Sequence, residues 1–338
     1  MVSKLKNLIR KISWKKTRAI ISFSWWLDSL LAVKVLEKQW IECMALTFEA
    51  PFFSADSSRI QCEKYWIKLK VIDFSKDHFE IVKNPEHWHW KNMNPCIDCH
   101  WFMFKIALEV AEKEWYDLVA SWEVMWQRPM SQNKNSLLKV KKIAWKDILR
   151  PLSALLMEET TYEKEWLVDR SQLLWISWRS RKTQLELAEK FWLKDFESAW
   201  WWCVLTTIEY SNKLRKYIEI FWKKANYLDA TFLRLWRERF LSEKTSSWEK
   251  NFLAVMWRNK EDNQKIFDNF IKSDENYFLI NMKNFSWPAV ILNTFWNEIS
   301  EKIKNEISEW FKEKVSKVKK EVWEWNLELK ISRFIKKN

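Results

Sequence analysis

The chain has 338 residues, a net charge of +13 at pH 7, a hydrophobic content of 48% and five cysteines. This length predicts two domains, and no run of about 18 apolar residues predicts a membrane span. The few cysteines and the lack of a signal-peptide pattern predict free thiols and a cytoplasmic location rather than a disulfide scaffold, and the basic excess indicates a polyanionic partner, nucleic acid first.

Strands and helices alternate through the first two thirds of the chain. This alternation predicts an α/β fold, with a parallel sheet that carries helices on both faces. Ligands bind such sheets at the carboxyl ends of the strands. The predicted elements, in chain order, are strand 18–23, helix 28–38, strand 41–48, helix 55–65, strand 67–74, a loop at 84–100, helix 102–114 and strand 116–121.

The composition shifts toward Lys, Glu and Asn after about residue 225. We therefore expect a first domain at 1–224 and a smaller C-terminal α+β domain at 225–338. Apolar residues at spacings of three and four predict an amphipathic helix over 297–322. A core-packing helix is the first interpretation, and an RNA-facing or dimerising helix is the alternative.

Tryptophan is in large excess, because the chain has 28 Trp and no Gly. Glycine averages about 7% of residues, or roughly 24 in a chain of this length, so the surplus of Trp matches the missing Gly. A gene from a lineage that reads the codon UGA as glycine, translated as if UGA meant tryptophan, gives this composition. The alternative is a genuinely Trp-rich protein with aromatic stacking surfaces. In a restored motif, Gly is written in place of Trp.

Several tryptophans stand where helices are expected to end. Each follows a charged, helix-favouring stretch and precedes an apolar residue, and a glycine in the left-handed conformation commonly occupies that position. These residues are Trp40, Trp66, Trp115, Trp166 and Trp192. We predict glycine at these sites, and genuine tryptophan at Trp310 and Trp248.

The first strand runs into "SWWLDS", residues 24–29, restored Ser-Gly-Gly-Leu-Asp-Ser. This motif resembles the SGGxDS signature of the PP-loop ATP pyrophosphatases, which cleave ATP between its α and β phosphates and adenylate a carbonyl oxygen. The resemblance implies an adenine nucleotide alpha hydrolase-like domain that uses ATP and Mg²⁺. Ser24 and Ser29 would donate hydroxyl groups to the phosphates, and Asp28 would hold Mg²⁺. Trp25 and Trp26 as written would obstruct the pyrophosphate, whereas glycine lets the backbone approach it.

Further stretches resemble tRNA-thiolating members of that family. "NPCIDCH" (94–100) is similar to the NPC-x-x-C segment of the tRNA 2-thiouridylases. "SWEVMWQRPMSQ" (121–132), restored SGEVMGQRPMSQ, resembles the TGExxGQxxSQ segment of the 4-thiouridine synthases, with Ser121 in place of the usual Thr, and 148–160 continues the likeness. The resemblance covers roughly residues 18–210. No segment resembles the RNA-binding domain or the rhodanese domain of the 4-thiouridine synthases. The resemblance therefore implies a relative of both families rather than a member of either.

The resemblance implies ATP-dependent thiolation of a tRNA uridine, with a cysteine desulfurase or sulfide as the sulfur donor. Cys96, Cys99 and Cys203 are the candidate sulfur-handling residues, the last of them after a restored Gly-Gly-Gly run at 200–202. In one interpretation the three hold a [4Fe-4S] cluster with one iron open to sulfide. In the other, Cys96 and Cys203 form a persulfide couple.

Other functions of the cysteines and histidines stay open. The C-x-x-C pair could bind Zn²⁺ together with His87, His89 or His100. Cys43 lies in a predicted strand and Cys62 in a predicted helix, and both are expected in the core.

Basic residues at a predicted helix start are candidate RNA contacts. Restored "GRSRKTQ" (178–184) places Arg179, Arg181 and Lys182 there, and a solvated basic face is the alternative. Arg128 and Lys134 are weaker candidates. Restored "VMGRNKEDN", from residue 255, resembles a GRNxxEN-type module of RNA-associated proteins, so an RNA-binding role is one interpretation of the C-terminal domain.

Two other functions fit the sequence less well. Another PP-loop ATP pyrophosphatase, such as a lysidine synthase-like or amidotransferase-type ligase, needs no cysteine trio. A non-catalytic RNA-binding protein needs no intact Ser24, Asp28 and Ser29.

Overall fold

Two sheets, one in each of two compact units, organise the chain. The computed structural model describes residues 16–128, 131–137, 147–196, 203–235, 237–245, 249–256, 276–282, 289–315 and 329–333. The units are Met1–Thr207 and Ile208–Asn338. Among the described helices, none has the length and apolar character needed to cross a bilayer.

The first unit is an α/β domain, as predicted. Its strands are all parallel and lie in the order β3-β2-β1-β4. The strands are β1 (Arg18–Ser22), β2 (Glu42–Glu49), β3 (Lys68–Asp73) and β4 (Leu118–Ala120). The helices are α1 (Leu27–Glu37), α2 (Asp56–Lys64), α3 (Ser75–Lys83), α4 (Cys96–Lys113), α5 (Thr161–Lys164) and α6 (Lys182–Lys190).

Helices cover both faces of this sheet because β1 is apolar on both sides. Ala19 and Ile21 face one core, which also contains α1 and residues of α6. Ile20 faces the other core, which contains the apolar face of α4, including Phe104 and Ala107. A strand buried on both faces reads as a continuous apolar run, which is how β1 reads in the sequence.

One helix was not predicted, and another begins earlier than predicted. The unpredicted helix is α3 at 75–83, and at its start Asp73 Oδ1 accepts from the Ser75 N–H at 2.9 Å. The loop expected at 84–100 ends early, because α4 begins at Cys96 rather than at 102. Pro95 directly before the helix and Asp98 in its first turn both favour a helix start there, although the apolar periodicity becomes clear only later.

Cys62 is buried in the first core, as expected, and Cys43 is half-buried and packs against it. Burial raises the pKa of Cys62 to about 12, and it raises the pKa of Cys43 as well. Both thiols are therefore protonated, inert core side chains.

The second unit is an α+β domain with an antiparallel sheet in the order β5-β6-β8-β7-β9. Its core contains the sheet's inner face together with Ile303, Ile307 and Phe311 of the C-terminal helix, so the core-packing interpretation of that helix is confirmed. The strands are β5 (Arg237–Lys244), β6 (Glu249–Met256), β7 (Tyr277–Met282), β8 (Ala289–Asn293) and β9 (Leu329–Arg333). The helices are α7 (Ile208–Phe221), α8 (Tyr227–Leu235) and α9 (Glu301–Val315); the predicted continuation to 322 and the GRN-type stretch lie outside the described residues.

Tryptophan dominates the left-handed backbone positions of the described chain. Of its twelve residues with positive φ, nine are Trp, and all five predicted helix-end positions are among them, with φ between 56° and 62°. Left-handed backbone costs an ordinary L-residue about 1–2 kcal/mol, and several of these indoles are also largely in solvent, such as Trp66 at 95% exposure. The nine are Trp40, Trp66, Trp88, Trp115, Trp126, Trp166, Trp178, Trp192 and Trp296.

Trp310 behaves in the opposite way. It is 2% exposed, packs in the core of the second unit, and lies under the guanidinium of Arg239 at 5.1 Å from the ring centre. This is an environment that uses an indole, in agreement with its prediction as a genuine tryptophan. Trp248 lies outside the described residues.

Candidate nucleotide and thiol site

The loop after β1 lies where β1 is flanked by β2 on one side and β4 on the other. Such a switch point opens a crevice at the carboxyl end of a parallel sheet. The Ser24 N–H donates to Ser29 Oγ at 3.0 Å, and the two hydroxyl oxygens are 2.8 Å apart. The end of β1 is thereby tied to the first turn of α1, which carries Asp28.

The two indoles fill this loop. The ring centres of Trp25 and Trp26 are 4.9 Å apart, and Trp26 is 7% exposed directly before α1. The first N–H groups of a helix are the ones that bind phosphate oxygens, and side chains packed here take up the adjoining space. Neither residue has positive φ. Glycine at 25 and 26 is therefore favoured by the room that the pyrophosphate needs and not by backbone strain.

Asp28 is the point where three distant motifs meet. Its carboxylate is buried, accepts from Gln127 Nε2 at 3.0 Å, and lies 3.5 Å from Arg181 Nη2. Burial raises the pKa of Asp28, and Arg181, Gln127 and Arg128 offset part of that rise. A buried carboxylate is a suitable ligand for Mg²⁺ when the ion replaces its lost hydration.

Trp126 and Trp178 lie where two of these motifs pair. Met125 and Ser177 form a parallel bridge, and the Trp178 N–H donates to the Met125 carbonyl at 2.9 Å. Both tryptophans have positive φ, and their rings stack with centres 5.9 Å apart. Glycine at these positions relieves the backbone strain and removes two exposed rings beside the contact between the motifs.

Glu123 joins the remaining motifs. This fully buried carboxylate accepts from Arg150 Nε at 2.9 Å and lies 3.0 Å from Nδ1 of His100, in the helix that begins with the C-x-x-C pair. Burial alone raises the pKa of Glu123, but the Arg150 guanidinium and the His100 ring hold that pKa below its usual value. The segments 94–100, 121–132 and 148–160 are thus connected through one buried charge.

Cys203 is brought to the other two cysteines by backbone contacts. The Leu205 carbonyl accepts from the Met93 N–H at 3.1 Å, and the Thr206 carbonyl accepts from Asn92 Nδ2 at 2.7 Å. Residues 92 and 93 directly precede the N-P-C motif. The stretch from Cys203 is therefore docked beside the start of α4, although it is distant in sequence.

Cys99 is a half-buried thiol close to the other two cysteines. Burial raises the pKa of Cys99, and Cys203 and Cys96 raise it further. His78 Nε2 lies 3.1 Å from its sulfur, but burial among aromatic rings lowers the pKa of His78 to about 3, so this ring is neutral. With a neutral imidazole beside it, Cys99 stays protonated until a metal or another electrophile engages its sulfur.

Cys96 differs by having a cation nearby. Burial raises the pKa of Cys96, while Arg128 and a hydrogen bond to Asn94 lower it. Arg128 also lowers the pKa of Asp28, against the larger effect of burial. One guanidinium therefore acts on both the nucleotide loop and the cysteine cluster.

The cysteines do not form a compact single-ion site. Among the described residues, the group of three candidate ligands whose atoms all lie within 4.8 Å is Glu86, His87 and Asp98, and it contains no cysteine. A zinc ion with Zn–S bonds of about 2.3 Å holds its sulfurs roughly 4 Å apart. An iron–sulfur cluster whose cysteines bind separate irons holds its sulfurs further apart than a single zinc ion does.

The histidines considered as zinc ligands have other partners. His87 Nδ1 is 2.6 Å from Asp98 Oδ1, and His89 Nε2 is 2.7 Å from the Val82 carbonyl oxygen. The third, His100, pairs with Glu123. In the described part of the chain, the zinc site made of C-x-x-C and a histidine is not assembled.

The predicted RNA contacts separate into two groups. Arg179 and Lys182 are exposed, as a contact with RNA requires. Arg181 is 21% exposed and faces Asp28, which places it at the nucleotide loop. The RNA role of all three stays a prediction, as do the weaker candidates Arg128 and Lys134, and residues 200–202 lie outside the described range.

No function was predicted for His78, Gln127 or Gln184. His78 lies in α3, which was not predicted. Gln127 and Gln184 lie inside the motifs 121–132 and 178–184. Each is a polar residue close in sequence to a predicted functional residue, and this is the signal by which they were predictable.

Comparisons with known proteins give only distant similarity. No protein-family model matches the chain, and no curated protein matches it. It is similar to a solved structure of a predicted subunit of tRNA methyltransferase from Methanocaldococcus jannaschii, at 17% identity and a TM-score of 0.31, over 40% of this chain and 67% of that one. It is also similar to a 4-thiouridine synthetase solved with RNA and bound ATP, at 18% identity and a TM-score of 0.35, over 46% of this chain. The match spans 40% of the synthetase's length.

Proposed function

We propose that this chain, with glycine at most of its tryptophan positions, is an ATP-dependent tRNA uridine thiolase. The observation that carries the proposal is the position of segment 121–128. Gln127 in this segment donates to Asp28 of the nucleotide loop, and Glu123 pairs with His100, next to Cys99. A nucleotide loop and a cysteine cluster joined by one short segment are what coupled adenylation and sulfur transfer require.

The nucleotide loop would activate the uridine. The carbonyl oxygen of the uridine attacks the α phosphorus of ATP. The bond between that phosphorus and the oxygen that bridges it to the β phosphorus breaks, and pyrophosphate leaves. Backbone N–H groups at 25 and 26 and the hydroxyls of Ser24 and Ser29 would hold the pyrophosphate, and Asp28 would hold the Mg²⁺ that neutralises its charge. This step works only with glycine at 25 and 26.

The cysteine cluster would deliver sulfur to the activated carbon. In the persulfide form, the outer sulfur of a persulfide on one of Cys96 and Cys203 attacks that carbon and AMP departs. The other cysteine then attacks the inner sulfur, which leaves sulfur on the uridine and a disulfide that a thiol reductant must reopen. In the alternative form, Cys96, Cys99 and Cys203 would hold an iron–sulfur cluster that presents sulfide at an open iron.

The two forms predict different results for single cysteine variants. If the three cysteines hold one cluster, each change to Ala removes both the iron–sulfur absorbance and tRNA thiolation, while ATP binding persists. If Cys96 and Cys203 are a persulfide couple, Cys99→Ala stays active, and iron-free protein thiolates with a sulfur donor. Anaerobic reconstitution followed by a thiolation assay measures these differences.

Cys43→Ala is the matched control, since Cys43 is half-buried in β2 and lies outside the trio. It should keep both absorbance and thiolation. An active, iron-free Cys99→Ala protein excludes the cluster form. Full thiolation activity of Cys203→Ala excludes both forms.

A further inference from the structure

Unsatisfied polar atoms gather around Asp28. Within the described part of the chain, Asp28 Oδ1, Arg181 Nη2 and both amide atoms of Gln184 are buried without a hydrogen bond of good geometry. The Gln184 amide nevertheless lies close enough to Asp28 to lower the pKa of that carboxyl against the larger effect of burial. Gln184 is fully buried, at 0% exposure. A buried polar atom without a partner costs about 1–3 kcal/mol, so a cluster of four is retained only where something else satisfies it.

The packing of two helices brings these atoms together. Arg181 directly precedes α6 and Gln184 lies in its first turn, and α6 packs against α1, which carries Asp28. The Arg181 and Asp28 atoms face each other across 3.5 Å without forming a hydrogen bond. The pair is close enough to neutralise both charges and loose enough to separate when a ligand offers each a better partner.

We infer that Arg181 and Gln184 bind the polyphosphate of the nucleotide, and that Asp28 holds Arg181 in place until the nucleotide arrives. This inference rests on the proposed ATP site and extends it to a second segment, 181–184, for which RNA contact was the sequence-based prediction. With Mg²⁺–ATP bound, Asp28 would hold the cation and the Arg181 guanidinium would turn to the phosphate oxygens, for which its planar fork is suited. Gln184 supplies a second polar contact. Each partner exchanges one opposite charge for another, so no buried charge is left unpaired.

The test is ATP affinity, measured by calorimetry on glycine-restored protein without tRNA or a sulfur donor. Arg181→Gln should weaken ATP binding by about 10- to 100-fold, the loss expected for charged hydrogen bonds to phosphate. Arg179→Gln and Lys182→Gln remove the same charge from exposed neighbours and should change ATP affinity by less than about twofold.

Gln184→Met adds a second measurement, the thermal midpoint of the free protein, which distinguishes a ligand-binding role from a structural one. It removes two unsatisfied polar atoms at nearly constant volume, so the thermal midpoint of the free protein should stay the same or rise while ATP affinity falls. A lower midpoint with unchanged ATP affinity shows that Gln184 is structural and overturns its role.

Failure of this inference differs from failure of the proposed function. If Arg181→Gln binds ATP as well as the parent does, the inference is wrong, and the ATP site stands because the parent still binds ATP. If the parent protein itself does not bind ATP, both are wrong.

Discussion

Replacing Asp28 with Asn lowers pyrophosphate release from ATP by about 100-fold or more in the glycine-restored protein, comparable to the loss of a key electrostatic group in other active sites. The reason is that Asn keeps the shape of the side chain and can still accept from Gln127, but carries no charge for Mg²⁺. The loss should therefore appear in the chemical step and in Mg²⁺ dependence, with little change in folding. A pyrophosphate-release assay over a range of Mg²⁺ concentrations measures it.

Asp56→Asn is the matched control for this change. Asp56 also lies in the first turn of the helix after a parallel strand, here α2 after β2, but it is exposed. It should leave pyrophosphate release within about twofold of the parent, as expected for a surface charge. A folded Asp28→Asn protein that releases pyrophosphate like this control would show that the nucleotide loop is misassigned.

Replacing Glu123 with Gln destabilises the first unit by about 3–5 kcal/mol, because Arg150 is left as a buried cation without its counter-charge. Arg150 is 3% exposed, so water cannot take over its solvation. Chemical denaturation, followed by a signal from the first unit, measures the free energy of unfolding. Because Glu123 also pairs with His100, thiolation should fall together with stability.

The contribution of Glu123 to the free energy of unfolding depends on pH. The pKa of Glu123 is held below its usual value by Arg150 and His100 against the opposing effect of burial, so its stabilising contribution is complete above that usual value. The contribution is lost as pH falls through the lowered pKa of the folded state. The parent and Glu123→Gln proteins should therefore differ most near neutral pH and converge in acid.

Glu159→Gln is the control for Glu123→Gln. Glu159 lies in segment 148–160, which also carries Arg150, but it is 52% exposed, at 3.9 Å from Arg170. Such surface pairs contribute about 0–1 kcal/mol. Equal, small losses for both variants would contradict a structural role for the buried charge network.

Local patterns predicted much of the fold. The apolar patterns at 18–23, 41–48 and 67–74 predicted three of the four parallel strands to within a residue at each end. The helix-end contexts gave five left-handed positions, all of which the structure has. These features depend on neighbours in sequence, and short-range patterns record them well.

The site could be predicted only in part, because its geometry depends on contacts between distant segments. No local pattern shows that Arg181 lies beside Asp28, since this follows from the packing of α6 on α1. Helix α3 was missed, and with it His78, whose ring lies beside Cys99. Motif resemblance named the segments, but only the fold shows which side chains in them meet.

Peptide mass spectrometry of the protein purified from its native host tests the central claim most directly, because the nucleotide site works only with glycine in its loop. We expect Gly at positions 25 and 26, at 126 and 178, and at the helix ends such as 66, with Trp retained at 310. Trp found at 25 and 26 in the native protein would contradict the nucleotide site, and Trp found at the left-handed positions would contradict the recoding itself.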